Sequence, residues 1–224
     1  MGGHTMQTQI KNYYKQISDG IAVQHMLPAH VNDLEALQRI VFPLLHEDEL
    51  ILAAHYLRHL EVFPEGQFVI TDDGKVIGMT TTMRSDFDFN HYYHTFKETI
   101  AGGWLTNHNP DGEWLYGLDV GVHPGYRGKG LARHLYRVRH ELAKELGLKG
   151  QVTVGMMNGY GAVSNEISGE QYFKELLAGK RSDPTITTQM KVGFEPIALI
   201  ADYLNDPTCG NYGVLIKIDI DKEI

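Results

Sequence analysis

The chain has 224 residues, of which 42% are hydrophobic, and a formal net charge of −8. That length and apolar share suit one domain with a real core rather than a disordered chain. The acidic balance, with no basic tract, excludes nucleic acid as the expected partner, and no apolar run approaches the ~18 residues a membrane span needs.

Cys209 is the single cysteine, so no intrachain disulfide is expected and a cytoplasmic location fits. The first ten residues hold no apolar signal segment, and Met6 reads as the natural start. Residues 7–19 are polar and aromatic and predict an N-terminal helix, part of an extension over 1–19 ahead of a single domain over 20–224. Ile21 to Met26 reads as a strand ended by Pro28. Asn32 or Asp33 caps a helix with Leu34, Leu37, Ile40 and Val41 on one face, and Pro43 ends it. Asp48 starts another helix, through Leu50, Ile51, Ala54, Leu57 and Arg58, that ends near Phe63-Pro64. Gln67–Thr71 and Lys75–Met83 form a hairpin across Asp72-Asp73-Gly74.

Residues 84–112 are too long for a plain connection and read as an insertion, with a helix over His91–Ile100 and loop signals at Gly102-Gly103 and 107–112. Leu115–Val122 is a strand, His123–Tyr126 a turn, and the clearest helix follows. Its residues Leu131, Leu135, Val138, Leu142 and Leu146 trace one face. Gly147 stops it, and Gln151–Met156 is the next strand. A second insertion over 158–188 holds a helix at Gly169–Ala178. Phe194–Leu204 and Tyr212–Ile220 close the chain as strands.

The strand, turn and helix between Leu115 and Leu146 carry the chemistry. The first amides of a helix have no internal partners and sit at the positive end of its dipole. Glycine lets an anion approach the backbone closely, and Arg127 and Lys129 add charge at the helix mouth. This is a phosphate site by its pattern. A Walker loop is excluded, because Gly128-Lys129 is followed by Gly130 rather than Ser or Thr. A dinucleotide fingerprint starting at Gly128 is excluded by Arg133 at its sixth position.

Val120, Val122, Pro124, Arg127, Gly128, Gly130 and Ala132 together resemble the V-x-V-x-P-x-x-R-G-x-G-x-A motif of the GCN5-related N-acetyltransferase (GNAT) superfamily. The order of elements is similar too, over residues 20–220. The tail from Gly159 to Phe194, with the segment Glu61–Ile70, resembles the branch sometimes joined to a carbon–nitrogen hydrolase domain. The resemblance implies an α/β fold with a mixed, mostly antiparallel central sheet of about six to seven strands, helices on both faces, and two central strands splayed for CoA. It implies acetyl-CoA as co-substrate, bound by Val120, Gly121 and Val122 on the strand and by Arg127, Gly128, Lys129, Gly130, Leu131 and Ala132 around the pyrophosphate. The acceptor implied is a small-molecule or peptide amine, and a homodimer is compatible with the family.

Acyl transfer needs a neutral amine, a stabilised oxyanion and an exit for a thiolate whose parent pKa is roughly 8–9. A strand amide between Leu118 and Val122 is the expected oxyanion donor. The family's general acid is a tyrosine four residues before the Gly-Phe pair, here Gly193-Phe194, and Gln189 stands in its place. Tyr160 is the first substitute and Tyr172 the second, each with a packed aromatic as the alternative. Asp119 is the candidate base. Strand alternation puts it opposite Leu118 and Val120, so only a bulge would turn it toward the acceptor. Otherwise it is a carboxylate bonded to local backbone. The absent tyrosine keeps open a CoA-binding module without catalysis. His55/His59 and His91/His94 have helical spacing but lack the rest of a ligand set, so no metal is expected. Aromatic residues in both insertions form either a pocket wall or a lid packed on the core.

Overall fold

A computed structural model describes residues 13–224. Its centre is one eight-stranded sheet in the order β1-β2-β3-β4-β5-β6-β8-β7. The strands are β1 (Tyr14–Ser18), β2 (Ile21–His25), β3 (Phe68–Asp72), β4 (Lys75–Ser85), β5 (Trp114–Val122), β6 (Gly150–Met156), β7 (Glu195–Ile200) and β8 (Gly213–Asp219). Every neighbouring pair is antiparallel except β5 and β6. That pair is parallel because a crossover helix, α4 (Leu131–Glu145), joins the two strands.

The strand beyond the expected six or seven is β1, where residues 14–18 were expected to be helical. The run alternates: Tyr13 and Ile17 pack on the core while Tyr14 is exposed, and a period of two suits an edge strand. Tyr13 fixes the strand by donating to Glu141 Oε2 at 2.8 Å. Residues 7–12 of the predicted helix lie outside the described residues.

On one face α4 buries Leu131, Leu135, Val138 and Leu142 against Ile70, Ile77, Leu115 and Val122. Each such side chain contributes about 1.5–3 kcal/mol on burial. The other face carries α1 (Val31–Val41), α2 (Ala53–Val62) and both insertions, with Leu34, Leu37, Tyr56 and Ile100 packed against Val69, Met79 and Tyr116. Helix α1 starts at Val31 behind a 3-10 turn over Pro28–His30, in which His30 Nδ1 accepts from the Leu27 amide, so neither Asn32 nor Asp33 is its cap. The helix expected from Asp48 is divided: a 3-10 turn spans Glu47–Glu49, then the chain runs through buried Leu50 and Ile51 into α2.

Within 84–112 the helix is only α3 (Phe96–Thr99). The Thr95 hydroxyl accepts from the Glu98 amide and the Glu98 carboxylate accepts from the Thr95 amide. This reciprocal cap sets the start five residues later than expected. Within 158–188 stands α5 (Gly169–Leu177), and α6 (Ile186–Val192) follows. Asp183 opens α6: its Oδ1 accepts from the amides of Thr185 and Ile186 at 2.8 and 2.9 Å.

Candidate active site

Strand β5 ends at Val122, and a 3-10 turn over Pro124–Tyr126 follows. His123 Nδ1 accepts from the Gly125 amide at 3.1 Å, so this histidine is a turn residue. Arg127 folds back and donates from Nε to the Val122 carbonyl at 3.2 Å, while Lys129 Nζ lies 5.0 Å from the Tyr126 ring centre. Gly128 and Gly130 both have φ of +77°, and nothing lies within 4 Å of where a Cβ would stand. The result is an open, exposed loop whose next amides, of Leu131 and Ala132, start α4 and have no intrahelical acceptor. The arrangement is a seat for an anion at the positive end of a helix.

The second part of the site comes from the sheet. β5 and β6 are joined by three residue pairs only, Leu115–Gln151, Tyr116–Val152 and Gly117–Thr153. Beyond Gly117 and Thr153 they diverge, although each stays paired to its outer neighbour. A cavity of about 100 Å³ lies in this V. Leu118, Asp119 and Val120 form one wall, Val154, Gly155 and Met156 the opposite one, with Gln38, Tyr136, Gln189 and Tyr203 among the side chains that close it.

A bulge at Leu118 sets the direction of Asp119. The register passes from Thr81–Asp119 to Thr82–Gly117, leaving Leu118 unpaired. Leu118 and Asp119 therefore both face α1 and α2. Asp119 Oδ1 accepts from the Thr81 amide and hydroxyl at 2.7 and 2.8 Å, and Oδ2 accepts from Gln38 Nε2 at 2.8 Å and Tyr56 at 3.5 Å. Burial raises its pKa, and the Thr81 donors oppose that rise. The carboxylate reaches the cavity wall with both oxygens already bonded, an anchor between β4, β5, α1 and α2.

Tyr160 and Tyr172 stand apart from the cavity wall. They pack edge to face at 5.5 Å. Tyr160 donates to the Ile167 carbonyl at 3.3 Å, and Tyr172 donates to Asp183 Oδ2 at 3.1 Å. Their hydroxyls brace the second insertion, because Gly159 to Gly161 turns away from the V as soon as β6 ends. Tyr116 is buried, its hydroxyl 2.7 Å from His94 Nε2, and burial pushes it up to about 12. Among the aromatic residues of the first insertion, Phe87 and Phe89 pack on the core and Phe96 reaches the cavity.

Three residues at the V are not among the candidate catalytic residues, although the sequence singles out Gln189 as standing in the tyrosine's place. Gln189, on α6, donates from Nε2 to the Tyr136 hydroxyl at 3.0 Å. Tyr136 comes from the middle of α4 and lines the cavity. Arg139, one turn along α4, is fully buried with its guanidinium carbon 5.6 Å from the Tyr136 ring centre, and none of its three side-chain nitrogens has a hydrogen-bond partner among the described residues. Gly117 makes room for it, since a Cβ there would overlap the guanidinium. Burial lowers the Arg139 pKa to about 10, so the group stays charged. The available signal was a second stripe on α4, Tyr136, Arg139 and Ala143, beside the leucine face.

Among the described residues no three His, Cys, Asp or Glu side chains form a group that could hold a metal ion. His59 bonds the Gly103 carbonyl and His91 pairs with Asp88. No described helix is long and apolar enough to cross a membrane.

Residues 31–160 match the acetyltransferase (GNAT) family profile. YkwB of Bacillus subtilis, an uncharacterized N-acetyltransferase, is 29% identical over 200 residues, covering 89% of this chain and 88% of YkwB. YhcX of the same organism, a probable hydrolase, is 34% identical over 164 residues, which are 73% of this chain. The match takes in 32% of YhcX, so the chain spans about a third of that relative, in keeping with the hydrolase-joined branch read from the tail. Among solved structures, the loading GNATL domain of CurA from Lyngbya majuscula gives a TM-score of 0.74 at 21% identity, covering 93% of this chain and 98% of that domain. The GphF GNAT-like decarboxylase in complex with isobutyryl-CoA gives 0.69 at 20%, covering 88% and 98%. At such identities the likeness is one of fold. With a profile match over more than half of its residues, the chain belongs to the acetyltransferase (GNAT) family of acyltransferases.

Proposed function

We propose that this protein transfers the acetyl group of acetyl-CoA directly to a primary amine, of a small molecule or a peptide, within a ternary complex. One observation carries the reading. The open glycine loop and the V-shaped cavity are consecutive along β5, the cavity at Leu118–Val120 and the loop a few residues after Val122. A ligand with a pyrophosphate at one end and a thioester at the other fits that order. The amides of Gly128, Lys129, Gly130, Leu131 and Ala132, with Arg127, would hold the phosphates. Val120, Gly121 and Val122 would face the pantetheine arm where β6 has diverged. The GphF complex with isobutyryl-CoA supports a CoA thioester as the ligand class.

Positioning does much of the work in such a site, because an oriented amine beside a bound thioester already reacts far faster than the free pair. Asp119 supports this arrangement by fixing the bulge that turns the Leu118–Val120 backbone toward the gap. A second reading, a CoA-binding module without turnover, is favoured by Gln189 at the usual tyrosine position. Thiol release from acetyl-CoA over a panel of primary amines separates the two. The transferase reading expects amine-dependent release, and tight CoA binding without release on any amine would refute it. Gly130→Asp tests the donor site separately, by placing a carboxylate in the anion seat at a backbone conformation that disfavours a side chain. Calorimetry should find CoA binding abolished while the far-UV spectrum is retained.

A further inference from the structure

We propose that Tyr136 gives its proton to the departing thiolate, with Gln189 holding its hydroxyl and Arg139 acting as a positioning residue beneath its ring. The proposal rests on the acetyl-transfer reading above and names the acid that reading lacks.

The first support is place. Tyr136 and Gln189 both line the cavity that opens beyond the last β5–β6 pair. Gln189 occupies the α6 position from which the family's hydroxyl would come, and its Nε2 donates to the Tyr136 hydroxyl at 3.0 Å. The sequence has moved the phenol from α6 to α4 and left an amide to hold it.

The second support is the state of the hydroxyl. Tyr136 accepts from Gln189 Nε2, and its own proton has no acceptor among the described residues. Buried phenols ordinarily donate as well as accept. Tyr203, the other tyrosine on the wall, has its hydroxyl beside Tyr116 and Thr99. Tyr136 thus faces the cavity with a proton to give.

The third support is Arg139. A buried cation without a partner is costly, and replacing such a charge with an apolar side chain is often neutral or stabilising. A cation kept in this position has a use when negative charge develops nearby. It lies under Tyr136 and against Gly117, at the point where the strands part. Burial raises the Tyr136 pKa, while Arg139 and the Gln189 bond both act to lower it. The pair thus eases the transient loss of the phenol proton.

The step balances without an oxidant or reductant. The amine nitrogen attacks the thioester carbonyl carbon, and the adduct collapses with the C–S electron pair going to sulfur. The Tyr136 O–H proton passes to that sulfur. The tyrosinate is then reprotonated, through solvent, by the proton released from the acylated nitrogen. The products are an amide and a free thiol.

The test is Tyr136→Phe, which removes one oxygen and keeps the ring against Phe194. With acetyl-CoA and the best amine of the panel, kcat should fall on the order of 100-fold while KM for acetyl-CoA stays within about twofold. Gln189→Ala leaves α4 untouched and should lower kcat about tenfold alone but add nothing to Tyr136→Phe, because the two act as one unit. Arg139→Met should lower kcat at unchanged KM and raise the melting temperature, whereas a purely structural arginine would lower it. Wild-type kcat in Tyr136→Phe overturns the proposal and leaves the transferase reading intact. If Tyr136→Phe does not fold, wild-type kcat in Gln189→Ala alone overturns it. A wild-type protein that binds acetyl-CoA but acetylates no amine overturns both.

Discussion

His59 shows how a buried side chain contributes to the acid limit of this protein. It is fully buried on α2, and burial lowers its pKa from 6.5 to about 4. Between those values the unfolded chain binds a proton that the folded chain does not. Stability from neutral His59 is thus complete above pH 6.5 and is lost as pH falls toward 4, by roughly 3 kcal/mol in all. Urea melts across that window should show the loss, and His59→Gln should make it shallower. Gly117→Ala is a second residue-scale prediction. Its Cβ would enter the space of the Arg139 guanidinium. Overpacking of this kind costs about 1–3 kcal/mol, read as a lower urea midpoint. Residues of this class were partly legible. The glycines of the loop stood out because their spacing is a local pattern. Asp119 was legible only conditionally, since its direction depends on a bulge against β4 that strand alternation alone does not reveal. Tyr136 was hidden beside a stronger leucine stripe, and Gln189 was read as a loss when it is half of a pair.

Among the elements, α6 ties the second insertion to the site. Asp183 caps it and also accepts from the Gly159 amide and Tyr172, so one carboxylate joins α6 to the end of β6 and to α5. Asp183→Ala should cost about 2 kcal/mol, seen as a lower melting temperature, with kcat reduced because α6 carries Gln189. Long periodic elements were legible, and α4 was read to within a few residues because five apolar positions agree. Short elements were not. α3 is set by one reciprocal cap, and β1 depends on a partner strand, which a helix-like run of polar and aromatic residues cannot announce.

At the scale of the whole molecule the sheet consists of two wings, β1–β5 and β6-β8-β7, joined by three residue pairs and the α4 crossover. Fold class was legible from element order and the glycine motif, while the wing count and the narrowness of their junction were not. A CoA thioester lying in the V would bridge both wings, so binding adds to the junction as well as to the site. At about 100 times its dissociation constant, CoA should stabilise the fold by about 2.7 kcal/mol. Amide exchange should slow on both β5 and β6 rather than at the loop alone, and protection confined to the loop would count against a ligand in the gap.

The narrow junction also has a mechanical consequence. Tyr14 on β1 and Ile197 on β7 are exposed at opposite edges of the sheet and offer attachment points for single-molecule pulling. Load applied between them meets its weakest line at Leu115–Gly117 against Gln151–Thr153, where three pairs bear what seven bear between β6 and β8. Rupture should begin there at low force, releasing the stretch that includes α4 while each wing stays folded. Saturating CoA should raise that first rupture force and leave the later ones unchanged, which would make the co-substrate a removable rivet in the sheet.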